Sequence, residues 1–207
     1  MAITTYTELK TAIADFLNRD DLASVIPTFV SLAESQINRD IRHWRMENRV
    51  SGQQTGGDAY MQLPADWVET IRFTIGSNPA LSLASIDAIA DMRAKRDNLS
   101  GVPTHYAHVR GEFELYPTPS ADTDFELLYY QKIPALSDSN ASNWLLDQAV
   151  DVYLYGALIH TAPYLADDAR LAVWAQMYSA AVANLNSASD SAQYSGSGLK
   201  LKVRGLG

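Results

Sequence analysis

Four histidines, His43, His105, His108 and His160, are the side chains best suited to ligate a metal or move protons at neutral pH. They fall in three different elements. His105 and His108 stand three apart in a segment that reads as a strand, where such spacing sends side chains to opposite faces, so the two share no metal. Asp167-Asp168 resembles a carboxylate pair for acid–base work. The start of a helix, where the backbone dipole favours negative charge, accounts for the pair better. The serines lack a G-x-S-x-G elbow. No glycine run matches the loops that cradle phosphates, and Gly56-Gly57 reads as a turn. Asn98-Leu99-Ser100 and Asn140-Ala141-Ser142 match the glycosylation sequon, which means little without a secretory leader. The absence of cysteine excludes disulfides and thiolate metal sites and favours a reducing compartment. These residue types point to no catalytic, cofactor-binding or metal site, and so not to an enzyme.

Arg39, Arg42, His43, Arg45 and Arg49 form the one cluster with a rival reading, a nucleic-acid-binding module that grips phosphates through the Arg39–Arg49 segment. Asp40 and Glu47 dilute it, and cations at a helix C-terminus complement its dipole. A structural or inter-subunit role is the stronger reading. The formal charge of −8 gives the chain no general attraction for DNA.

The elements that must position these residues follow from spacing. Thr5 and Glu8 form a capping box, and Tyr6, Leu9, Ile13, Phe16 and Leu17 then recur at helical steps. Residues 18–21 stop that helix. Pro27 suits the first turn of a second one, whose stripe is Val30, Ala33, Ile37, Ile41 and Trp44, with Glu34, Asn38, Arg42 and Arg45 opposite. From about residue 47 the period changes, and Gly52, Gly56 and Gly57 break the chain. Strands are predicted at 60–64, 70–75, 105–109, 112–116 and 125–131, with a hairpin at Arg110-Gly111. Between them lies a helix from Ser85 to Asp97, with Ile86, Ile89, Ala90 and Met92 inward. Prolines 117, 119 and 134 punctuate the strand edges. Helices return at 144–160, apolar nearly all round, and from about 166 into the 180s. On the last, Trp174, Tyr178, Ala181 and Leu185 face a core, and Ala172, Ala175, Ala180 and Ala183 permit close packing.

The fold class is therefore α+β. Residues 1–46 and 141–194 are expected to form a helical bundle, with Trp44, Trp144 and Trp174 substantially buried, and residues 47–140 a β-rich insertion. Residues 195–207 read as an extended C-terminal docking arm. Ser195-Gly196-Ser197-Gly198 supplies a hinge. Leu199, Leu201 and Val203 then alternate with Lys200, Lys202 and Arg204, so an extended chain would put apolar groups on one side and bases on the other. A leader-free start and the lack of a run of roughly 20 apolar residues suggest a soluble protein made in the cytosol, with no membrane partner.

Ordered short motifs resemble the head-to-tail adaptor proteins of tailed phages, the group that includes podovirus tail adaptors, gatekeepers and tail tubular proteins. They are Tyr6-Thr7-Glu8-Leu9, Leu32 through Arg39, Tyr60-Met61-Gln62-Leu63-Pro64-Ala65-Asp66-Trp67, Leu115-Tyr116-Pro117, Leu128-Tyr129-Tyr130, Asn143-Trp144-Leu145-Leu146 and Tyr153 through Leu158. Asp167-Asp168-Ala169-Arg170, Trp174, Tyr178 and Ser195 through Leu199 complete the set, although the family often has Pro where this chain has Gly198. The resemblance implies a non-enzymatic structural subunit of the virion neck, between capsid and tail, assembled in the host cytoplasm. It implies a homo-oligomeric ring, commonly of twelve subunits, that docks on the portal protein and anchors tail nozzle or tail fibre proteins. Genomic DNA would pass through without specific binding and no cofactor is needed. The arm, through Leu199, Lys200, Leu201, Lys202, Val203 and Arg204, would dock on the portal or a neighbouring subunit.

Overall fold

The Thr5 capping box starts the first helix: the Glu8 N–H donates to Thr5 Oγ1 at 3.3 Å and the Glu8 carboxylate accepts the Thr5 N–H at 3.0 Å. The computed structural model describes residues 3–77, 79–96, 99–165 and 169–194. Along the chain come α1 (Tyr6–Leu17), α2 (Ile26–Asp40), β1 (Glu47–Gln54), β2 (Tyr60–Gln62), β3 (Trp67–Ile75), β4 (Ser82–Leu83) and α3 (Ile86–Lys95). Then follow β5 (Ser100–Gly101), β6 (His105–Val109), β7 (Glu112–Tyr116), β8 (Thr118–Pro119), β9 (Thr123–Gln131), α4 (Trp144–Gln148), α5 (Val150–Ile159) and α6 (Arg170–Tyr194). The fold class is α+β, as the periodicities indicate. One compact unit joins the described residues up to Arg45 with those from Ile133 on; the other is Met46–Lys132. Residues 133–140, read from sequence as part of the insertion, group with the helices.

The helical unit is built around α5, which packs against α1, α2, α4 and α6. Val152, Tyr153, Leu154, Gly156, Ala157 and Leu158 are all buried there, so a helix apolar on most sides is covered within its own unit. Tyr6, Leu9, Ile13 and Leu17 of α1 and Phe29, Val30, Ala33 and Ile37 of α2 supply the facing stripes. Trp174, Tyr178 and Ala181 supply that of α6.

In the second unit β1, β9 and β3 form an antiparallel sheet in that order. A second sheet has the order β2-β7-β6-β4, with only β4 parallel to its neighbour; β5 and β8 form a short parallel pair. Met61, Phe73, Ile75, Leu81, Tyr106, Phe113, Leu115, Leu127 and Tyr129, drawn from both sheets and the approach to β4, form a common core. Phe73 stacks on Phe113 at 5.1 Å between centroids, and Tyr106 meets both rings edge-on. The β6–β7 hairpin turns at Arg110 (φ 52°) and Gly111 (φ 88°), the two positive φ angles that a tight hairpin turn with the strands' own twist requires.

Several expectations are corrected. α2 stops at Asp40, because Ile41 is extended (φ −103°, ψ 134°), and the stripe does not run on to Trp44, which is 44% exposed. Trp174 is buried and Trp144 partly so, as expected; Trp44 is the exception. Phe16 is exposed because Tyr6, Leu9, Ile13 and Leu17 already define the buried line of α1. Ile86 and Ala90 face outward, and Ile89 alone is buried on α3. The helix expected over 144–160 is two helices, parted at Ala149 (φ −142°, ψ 62°). Ala172, Ala175, Ala180 and Ala183 lie on the exposed side of α6 rather than in a helix contact. Asp167-Asp168 and the arm residues 195–207 lie outside the described residues.

Candidate functional site

Glu34 and Asn38, read from sequence as a solvent-facing stripe, instead receive the chain where it returns from β9. The Ile133 N–H donates to Asn38 Oδ1 at 2.8 Å and the Leu136 N–H to Glu34 Oε1 at 2.6 Å. Asn143 joins them from the start of α4. Its Oδ1 accepts the N–H groups of Leu145 and Leu146, and its Nδ2 donates to Pro134 O and Tyr153 Oη, both at 2.7 Å. Tyr153 Oη in turn donates to Glu34 at 3.4 Å. Burial raises the Glu34 carboxyl above its ordinary range, against the pull of those two donors. Burial also lifts the Tyr153 phenol, so it stays a donor. The network braces the returning chain against α2, α4 and α5.

The second polar assembly ends α2. The Arg42 guanidinium donates back to Asn38 O (3.1 Å) and Ile41 O (2.7 Å), capping carbonyls that the helix leaves open. From α6, Asn186 Oδ1 accepts the Arg42 N–H and Asn186 Nδ2 donates to Asp40 O. Ser189 Oγ accepts the Trp44 N–H at 2.9 Å, and Tyr178 Oη donates to Asp40 at 2.9 Å. Residues 41–44 are thereby tied along α6. His43 turns inward, 5% exposed, stacked on Trp144 at 4.9 Å, with Nδ1 accepting the Arg45 N–H. Burial and the Arg45 cation hold its pKa below the ordinary histidine value. Trp44 turns outward, with the Arg45 guanidinium 5.3 Å from its ring centre.

The members of the arginine cluster have separate partners, and Arg45 and Arg49 remain exposed. Arg42 caps a helix, Arg45 lies on Trp44, and Arg49 pairs with Glu126 at 3.6 Å. The other histidines do not converge. His105 meets the Thr104 hydroxyl at 2.9 Å, and His108 lies against Trp67 and Phe113. Among the described residues no group of three or more His, Asp or Glu side chains is placed to hold a metal. No described helix is long and apolar enough to cross a membrane.

What these surfaces can do is bind. Tryptophan and arginine, exposed here at Trp44 and Arg45, are among the side chains over-represented in binding hot spots. α6 carries no charged residue from Leu171 to Ser189, yet Val173 and Met177 on it are 49% and 44% exposed. Sequence reading missed the Trp44 exposure. Its signal was present in Arg42, whose long donor side chain just past a helix suits a cap.

Residues 4–200 match the family model of the SU10 adaptor protein, and the chain belongs to that family, in agreement with the resemblance to phage head-to-tail adaptors. Its role is that of a phage structural adaptor. A search of curated proteins finds no significant match.

Proposed function

We propose that the chain is a non-enzymatic subunit of a ring in the virion neck, commonly of twelve copies in the adaptors it resembles, that docks on the portal protein. The ring would anchor tail nozzle or tail fibre proteins and continue the DNA channel. The observation that carries this reading is the family match over residues 4–200. The uncharged outer face of α6 and the Trp44–Arg45 pair supply surfaces suited to subunit contact. The net charge of −8 suits a conduit that does not retain phosphates. The arm would do the docking: Leu199, Leu201 and Val203 cannot bury their apolar side alone, but can fill a groove or extend a sheet on the portal or an adjacent subunit. Lys200, Lys202 and Arg204 would meet acidic side chains there. Co-sedimentation with the portal tests this. Removing residues 196–207 should leave the thermal unfolding of the body unchanged and abolish co-sedimentation. Undiminished binding by the truncated chain would remove the arm from the docking role.

A further inference from the structure

The second unit holds a recess of about 500 Å³ between the C-terminal end of α3 and the β6–β7 hairpin. Its volume falls within the roughly 300–1,000 Å³ common for binding pockets. Met92, Leu99, Tyr116 and Pro117 give it an apolar lining, and Lys95, Arg96 and His105 stand among the lining residues. No carboxylate lines it among the described residues, in a chain where acids outnumber bases by 24 to 16.

The three bases at the end of α3, Arg93, Lys95 and the capping Arg96, have different fates. Arg93 is consumed by the fold: it pairs with Glu114 at 3.1 Å, donates to Thr118 Oγ1 and Leu115 O, and lies 5.9 Å from the Tyr116 ring centre. Tyr116 Oη donates to Met92 O at 3.1 Å, which fixes the floor of the recess to the helix above it. Lys95 and Arg96 are exposed and make no ion pair among the described residues. A helix dipole alone would account for bases in a last turn. It does not account for their standing beside a preformed apolar hollow with Leu99, 41% exposed, at its lip.

We propose that this recess is a docking pocket for an acidic peptide segment of a partner protein. An apolar side chain of the partner would seat on Met92, Tyr116 and Pro117 under Leu99, and flanking carboxylates would pair with Lys95 and Arg96. The apolar floor argues for a peptide anchor over a nucleic-acid backbone, which would need a longer basic track. Because Arg93, Glu114 and Tyr116 brace the walls, little ordering cost falls on binding. The pocket lies wholly within residues 92–117, so the proposal holds whether or not the chain assembles into a ring.

Fluorescence anisotropy on the full-length chain tests it, with the labelled hexapeptide Asp-Glu-Phe-Leu-Glu-Asp as probe. Two controls replace either its acids by lysine or its Phe-Leu by Ser-Ser. The acidic–apolar peptide is expected to bind about tenfold or more tighter than either control, and more weakly as salt rises. Lys95→Glu/Arg96→Glu, checked for an unchanged thermal transition, should lose about tenfold for that peptide and gain affinity for the lysine version. Leu99→Ser should weaken the apolar peptide and leave the Ser-Ser control unmoved. No measurable binding, equal binding of the Ser-Ser control, displacement of the probe by an oligonucleotide of the same net charge, or affinity unchanged by charge reversal would each overturn the proposal.

Discussion

At the scale of single residues, Asn143 carries more of the helical unit than its size suggests, since one amide caps α4 and ties α5 to the returning chain. Asn143→Ala removes the cap, worth about 1 kcal/mol, and strands buried partners at about 1–3 kcal/mol more. Urea unfolding should therefore show a loss of about 2–4 kcal/mol. Glu34 makes the opposite kind of contribution. Its folded pKa is raised by burial, so the native state binds more protons between its unfolded and folded values. The associated stability is complete below the ordinary carboxylate range and is lost as pH rises through the raised value. Glu34→Gln, which keeps an acceptor for the Leu136 N–H, should be more stable than the parent at pH 7, with the gap closing near pH 3. A gap that widened on acidification would contradict this. The Thr5–Glu8 box was legible in sequence because both partners lie within one turn. The inward turn of His43, the exposure of Trp44 and the use of Glu34 were not, because each depends on a partner from a distant part of the chain, Trp144, Ser189 and Leu136 respectively.

At the scale of elements, α5 packs against its neighbours at a glycine. A Cβ added at Gly156 would stand 3.3 Å from the Tyr178 ring and 3.4 Å from Ala33 Cβ. Gly156→Val should cost about 1–3 kcal/mol through overpacking, read as a lowered urea midpoint with an unchanged slope. A neutral result would mean that α2, α5 and α6 are less tightly apposed than described. Period-2 alternation located β3, β6, β7 and β9 to within a few residues, since each has one face on a common core. Helix limits were less legible. The periodic run of α2 continues past Asp40 in sequence, but the backbone stops where Arg42 and Asn186 take the carbonyls of Asn38 and Asp40. Ile86 and Ala90 keep the right spacing on α3, yet only Ile89 of that helix is buried.

At the scale of the whole molecule, the chain is a phage structural adaptor by family. Two sets of polar side chains brace the helical unit, while uncharged or cationic–apolar surface is left outward on α6, at Trp44–Arg45 and at the α3 recess. Motif order made the class legible, because those short signatures sit at structural joints. Asp66 of the Tyr60–Trp67 motif accepts the Tyr129 hydroxyl, and the Asn143–Leu146 motif is the α4 cap. What sequence could not supply is the assembly, since subunit contacts leave no periodic signature. Electron microscopy of the purified full-length chain, mixed with the portal protein of the same virus, addresses that claim directly. The account predicts a closed ring of this subunit, about twelve copies, stacked coaxially on the portal. Portals left bare beside a protein that stays monomeric at micromolar concentration would contradict it.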